Sequence, residues 1–202
     1  MIASIFRNRI PSHRLIIETQ SSRICDKTKA ELFWGVYESA EARFVHKYIS
    51  PGMDVLELGS SLGVISCLIR NQLHNDRKLL CVEANPELLP ICRRNLEKNT
   101  PGKSAFIVNA AIDYSGAPEV WLSFGADSTS SVIGNSGDRS TRSGAYAPAA
   151  TLSGLLNEHS FEAFALVCDI EGAEFSILAN DCEAMRNCRL AIMELHTADH
   201  EG

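Results

Sequence analysis

Five short, almost unbroken apolar runs punctuate the chain, at residues 53–58, 79–83, 105–109, 164–169 and 189–195. Runs of this length, rich in Val, Ile and Leu and bounded by turn residues, read as strands buried on both faces. A helical pattern follows most of them. Residues 64–69 continue from a Gly/Ser turn as a helix, and residues from about 173 to 180 form another. Asn85-Pro86 reads as a helix cap followed by proline at the first helical position. The apolar spacing of Leu88, Ile91, Cys92, Asn95 and Leu96 gives that helix one buried stripe, and Pro90 is expected to weaken or kink its early turns. Residues 119–124 make an extra strand after the Ser115-Gly116 turn. Strands alternating with helices predict an α/β, Rossmann-like fold: a mostly parallel twisted sheet with helices on both faces.

Two stretches fall outside this rhythm. Residues 1 to about 30 are polar and irregular, and residues 31–49 look like one helix whose apolar face carries Phe33, Val36, Tyr37, Ala40, Phe44 and Tyr48. The expected division is an N-terminal arm and helix over 1–50 and a ligand-binding domain over 51–202. Residues 125–150, rich in Gly, Ser, Thr and Ala, read as a long loop that is either flexible or functional, for instance a lid over a substrate.

Composition narrows the function. The net charge is -6 and no Lys/Arg-rich run occurs, which argues against nucleic acid as a partner. Arg7, Arg9 and Arg14 form only a small basic cluster near the start. The seven cysteines are scattered, without a C-x-x-C pair, as expected of buried free thiols in a reducing compartment. No signal peptide and no stretch near the roughly 20 apolar residues of a membrane span is present, so the expectation is a cytoplasmic protein without a membrane partner.

The sharpest motif is Glu57-Leu-Gly59-Ser-Ser-Leu-Gly63, at the end of the first strand. Ligands of open α/β sheets sit beyond the carboxyl ends of the strands, where glycine lets the backbone turn tightly and approach closely. Glu83 ends the second strand 20 residues after Gly63, the separation at which a carboxylate reaches the two hydroxyls of a nucleoside ribose. Nicotinamide cofactors use the same geometry. Here the third glycine of their fingerprint is missing, and Glu57 would repel a pyrophosphate while suiting a cation. S-adenosylmethionine (SAM), with its sulfonium and ammonium, is therefore preferred.

These residues resemble the FkbM-type SAM-dependent methyltransferases over most of the chain, from about Trp34 to His196. The resemblance is carried by Trp34-Gly-Val-Tyr-Glu38, Pro51-Gly52, Asp54-Val-Leu-Glu-Leu-Gly-Ser-Ser-Leu-Gly63, Val82-Glu-Ala-Asn-Pro86 and Asn95. It continues through Asn109-Ala-Ala-Ile112, Thr151-Leu-Ser-Gly-Leu155, Cys168-Asp-Ile-Glu-Gly-Ala-Glu174 and Glu194-Leu-His196. It implies methyl transfer from SAM, commonly to a hydroxyl of a sugar or natural product. Carried over, Glu57, Gly59 and Gly63 would line the methionine end, Glu83 with Ala84 the ribose, and Asn109, Ala110 and Ala111 the adenine. Ser60 and Ser61 stand where the family often has Ala-Asn, and can still hydrogen-bond the cofactor's carboxylate. Ser153 replaces an aspartate. The chain stops soon after the fifth core strand, where such folds normally add a helix and an antiparallel strand pair; a truncated product, a minimal variant or a partner at the sheet edge would each account for this.

A hydroxyl acceptor needs a base. Asp169, at the end of a central strand, ranks first, followed by Glu171 and His196; Glu174 is a further candidate. Glu171 and Glu174 also suit a helix N-terminus merely as acidic residues. Asp169, Glu171 and His196 could hold a divalent cation, although metal-free transfer is the favoured reading. Amino-methylating DNA enzymes carry an Asn/Asp-Pro-Pro-aromatic turn where this chain has Asp169-Ile-Glu-Gly, a second argument against a nucleic-acid substrate. The expected partner is a small-molecule or glycan acceptor, and a homo-oligomer stays open. A non-catalytic SAM-binding scaffold and, further behind, a nicotinamide-dependent oxidoreductase are the alternatives.

Overall fold

The computed structural model describes residues 6–21, 24–124, 131–133 and 144–196. Its centre is a five-stranded, wholly parallel sheet of β3 (Val55–Leu58), β4 (Leu79–Glu83), β5 (Phe106–Asn109), β10 (Phe164–Cys168) and β11 (Cys188–Met193), in the order β11-β10-β3-β4-β5. Side chains alternate between two cores, as the period of a strand requires. In β4, Leu79 and Cys81 join one core while Leu80 and Val82 join the other; in β10, Ala165 and Val167 face one way and Phe164, Leu166 and Cys168 the other. The first core is closed by α2 (Ser39–Tyr48), α3 (Val64–Gln72) and α4 (Leu89–Asn99), and the second by α5 (Leu152–Glu158) and α6 (Glu174–Asn180). Burial on both faces is why the strands are apolar at almost every position, each fully buried Leu or Val contributing about 1.5–3 kcal/mol. This is the Rossmann-like arrangement expected from the sequence. A short α7 (Cys182–Met185) precedes the edge strand β11. No helix among the described residues is long and apolar enough to cross a membrane.

The structure corrects four local expectations. Residues 1–30 are not all irregular: β1 (Arg9–Ser12) and β2 (Leu15–Glu18) form an antiparallel hairpin whose Ile10 and Ile17 are fully buried in the first core. Helix α4 clamps it. Asn95 Oδ1 accepts from Glu18 N at 2.7 Å, Asn99 Oδ1 accepts from Ile16 N at 2.8 Å, and Lys98 meets the Glu18 carboxylate at 2.8 Å.

The single helix over 31–49 is two, α1 (Asp26–Trp34) and α2, because Gly35 at φ 65° ends the first in a left-handed cap. The stripe supposed to face the core is instead largely exposed, with Val36 at 57%, Phe44 at 47% and Tyr48 at 46%; Leu32, Ala42, Val45 and Ile49 are the buried positions. Helix α4 begins at Leu89 rather than after Asn85, so Pro90 sits in the first turn, where its missing N–H costs nothing. Asn85 Oδ1 instead accepts from Glu87 N in the preceding turn.

Lastly, part of the supposed loop 125–150 is sheet. β9 (Gly144–Ala150) pairs antiparallel with β7 (Glu119–Phe124) and parallel with β6 (Ala111–Ile112), and β8 (Ser131–Ile133) pairs with β7. Residues 125–130 and 134–143, on which the lid reading falls, lie outside the described residues. The seven cysteines are free, four of them buried; Cys182 is exposed, unlike the expectation.

Candidate functional site

The chain order reverses between β3 and β10: the helix after β3 packs into the first core and the helix after β10 into the second. A crevice opens at the carboxyl ends of these two strands, the usual ligand position in such sheets. Gly59, at φ 88°, turns the chain there. A Cβ on it would lie 1.9 Å from the carbonyl oxygen of Asp169, so only glycine lets the two strand ends meet. Gly63, at φ 79°, opens α3, and its Cβ would press on Cys92 at 3.0 Å.

The crevice is a cavity of about 190 Å³. Gly59, Ser61, Glu83, Ala84, Ala110, Ala111, Asp169 and Glu171, all picked out from the sequence, line it. Its polar side carries Glu38, Glu83, Asp169 and Glu171, and among the described residues no Lys, Arg or His lines it. The apolar side is built by Val82, Ala84, Ala110, Ala111, Ile112 and Leu122, the last contributed by β7 of the second sheet.

Glu83 is 5% exposed and organises both adjacent turns: Oε2 accepts from Ser61 N and Oε1 from Asn85 N, each at 2.7 Å. Burial raises its pKa, against the pull of the backbone N–H groups of Asn85 and Ser61.

Five predicted residues are not in the cavity wall. Glu57 points from β3 into the first core, where it is 2% exposed and accepts from Ser66 Oγ at 2.6 Å; burial pushes its pKa up to about 7. Ser60 is buried behind the turn, within reach of the Cys92 thiol, and Gly63 lies under α4. Asn109 Nδ2 donates to the carbonyls of Glu83 and Ala84 at 2.8 Å, so it pins the end of β4. His196 stands beside the cavity, not in its wall.

Tyr37, expected on the apolar face of a helix, and Glu38, given no role by the sequence, line the cavity from the connection between α1 and α2. The Tyr37 hydroxyl is 3.1 Å from Ser61 Oγ. A signal was available in Trp34-Gly-Val-Tyr-Glu38, where a polar pair follows one residue after the Gly35 break.

At the far end, His196 is ringed by carboxylates. Its Nδ1 is 3.0 Å from Glu174 Oε1, and its Nε2 is 3.7 Å from both Asp169 Oδ1 and Glu171 Oε2 and 3.9 Å from Glu194 Oε1. Glu174 is fully buried and also accepts from Ile170 N at 3.1 Å and Gly172 N at 3.0 Å, which fixes the loop after β10. Burial raises the Glu174 pKa, but His196 and those backbone donors outweigh it, and the net shift is downward. Desolvation lowers the His196 pKa, and its bond to Glu174 with the charges of Asp169 and Glu171 reverses that to a net rise. The Asp169 carboxyl goes up to about 6, first through burial and then through Glu194, with His196 opposing. Asp169, Glu174 and His196 bring one donor atom each within 4.8 Å, as a cation site would require, but both Glu174 oxygens are already engaged in the loop.

Comparison with known proteins decides the family. The model of the methyltransferase FkbM domain matches residues 63–202. The chain belongs to this family. Its methyltransferase domain implies SAM as cosubstrate, and the chemistry of the cavity is compatible with it: its polar side is acidic, and SAM carries a net positive charge. Curated relatives include carboxy-S-adenosyl-L-methionine synthases of Escherichia coli O1:K1 / APEC, strain K12 / DH10B and O157:H7 (strain EC4115 / EHEC), each 31% identical over 52 residues. The match covers 25% of this chain and 21% of each relative, so the chain spans about a fifth of their length. No solved structure gives a significant match.

Proposed function

We propose that this methyltransferase moves the methyl group of SAM to a hydroxyl oxygen of a small molecule or glycan, with Asp169 taking the hydroxyl proton. One observation carries the reading. Asp169 directly follows β10 at the switch point, lines the cavity, and its Oδ1 has no hydrogen-bond partner among the described residues. A carboxylate titrating at about 6 is ionised at neutral pH yet more basic than an ordinary aspartate, which suits a general base.

SAM, when bound, supplies an electrophilic methyl carbon on a cationic sulfur that leaves with its bonding pair. The protein's part is alignment and proton removal. Glu83 would hold the ribose and the wall from Val82 to Leu122 the adenine, which leaves Asp169 and Glu171 facing the acceptor. His196, whose pKa its bond to Glu174 raises, would favour the ionised form of Asp169, and the lack of a cationic side chain in the described wall disfavours a pyrophosphate-bearing nicotinamide cofactor. The free cysteines support the cytoplasmic setting expected from the sequence.

Turnover of methyl-labelled SAM against a panel of hydroxylated acceptors tests this. Asp169→Asn should lower kcat by about 10²–10⁴-fold while SAM still binds, and excess chelator should leave wild-type turnover unchanged. Wild-type turnover in the variant would remove Asp169 from the chemistry, and loss of turnover in chelator would restore the cation.

A further inference from the structure

Glu57, the carboxylate that the motif assigns to the cofactor's positive charge, is turned away from the cavity and satisfied by Ser66. Another acid takes its place. Glu38 lines the cavity together with Gly59, Ser61, Asp169 and Glu171, and it lies outside the residues matched by the family model. It is held there by unusual backbone: Glu38 sits at φ 49°, ψ 30° as the residue before α2, and its carbonyl accepts from Ala42 N at 2.9 Å. Its neighbour Tyr37 is fixed to Ser61 of the glycine turn. The connection between α1 and α2 is thus fastened to the cofactor turn, with an acidic side chain on the cavity side.

Among the described residues the cavity wall offers this acid no cationic partner. Tyr37 and Glu41 on its own segment, Glu57 on β3 and Asp169 after β10 act on it most strongly, and none of these is a cation. Burial, then Glu41, push the Glu38 pKa well above the ordinary carboxylate range, with Tyr37 pulling the other way; Glu41 is itself pushed up to about 8, by burial and then by Glu57, Asp169 and Glu194. Among the described residues the cavity wall carries no cationic side chain, and the two states of the cofactor differ by one positive charge. SAM carries a sulfonium that its demethylated product, a thioether, has lost.

We infer that Glu38 is the residue by which this site tells charged cofactor from neutral product, binding SAM more tightly than S-adenosylhomocysteine and so favouring exchange after transfer. The inference rests on the cofactor reading above. It makes Glu38 a specificity residue of the cofactor site and leaves the proton chemistry to Asp169. Because a cation draws Glu38 into its ionised form, binding of SAM should release more protons than binding of S-adenosylhomocysteine.

Calorimetric titration with SAM, S-adenosylhomocysteine and sinefungin, whose amine restores the positive charge, tests it directly. Wild-type protein should bind SAM and sinefungin more tightly than S-adenosylhomocysteine. Glu38→Gln should weaken the two charged ligands by about tenfold and the neutral one by less than about threefold. Equal loss for all three would make Glu38 a merely structural residue and overturn the inference, while leaving SAM as cofactor. Wild-type protein that bound none of them would overturn the cofactor reading itself. If Glu38→Gln does not fold, titration of wild-type protein in two buffers of different ionisation enthalpy decides: equal proton release for SAM and S-adenosylhomocysteine contradicts the inference.

Discussion

The loops after β4 and after β10 are built on the same device and put it to different use. Each is organised by a glutamate that is buried and accepts two backbone N–H groups: Glu83 takes those of Ser61 and Asn85, and Glu174 those of Ile170 and Gly172. Glu83, however, keeps an edge in the cavity, and its pKa is raised; Glu174 is enclosed, bound to His196, and its pKa is lowered. The difference lies in the compensating charge. Among the described residues Glu83 has no cationic partner and borders the cavity, whereas Glu174 is paired with His196 and fixes the loop around it.

The largest effects should come from breaking each clamp. Glu83→Ala and Glu174→Ala each strand two backbone donors and should cost about 2–3 kcal/mol in chemical unfolding. Only Glu83→Ala should also lower SAM affinity by more than about tenfold; Glu174→Ala, measured where it is folded, should bind SAM within about threefold of wild type. A comparable loss of SAM affinity in both variants would erase the distinction. A fall in stability without a fall in SAM affinity for Glu83→Ala would reduce Glu83 to a structural acid.

A smaller effect sharpens the comparison. The folded pKa of His196 is raised, so its contribution is full below the ordinary histidine value near 6.5 and is lost as pH rises through the folded value. Glu174 is shifted down, so its share is present above its ordinary value and disappears as pH falls through the folded one. The pair therefore helps most in mildly acidic solution. Wild type should exceed His196→Asn by roughly 1 kcal/mol near pH 6, with the gap closing towards pH 9. A gap that widens with pH would contradict the assignment.

Sequence reasoning reached the central sheet because its strands are apolar on both faces, a pattern that few other structures demand. It also found Glu83 and Asp169, since a strand's last side chain and the residue just beyond it face the crevice. It misplaced Glu57 by reading the motif as a line. Strand alternation sends that side chain to the same face as Val55, under α3, and the period of two already contained this. The hairpin β1–β2 was hidden by its brevity: each strand has four residues, one holds Pro11, and its turn uses His13 and Arg14 at positive φ where Asn or Gly would be the signal. Strand β9, made of Gly, Ala, Tyr and Pro, has little strand propensity of its own and is fixed by pairing with β7. Glu38 stands in a motif the sequence displayed, but its place in the cavity was not legible, because the residues it joins there come from β3, β4 and the turn after β10, far away in sequence.

The central claim is that an acidic crevice between β3 and β10 holds a cationic nucleoside. Calorimetric titration of the wild-type chain with SAM and, separately, with NAD tests it most directly. One SAM per chain should bind and NAD should give no heat. Binding of NAD, or no binding of SAM, would contradict the account.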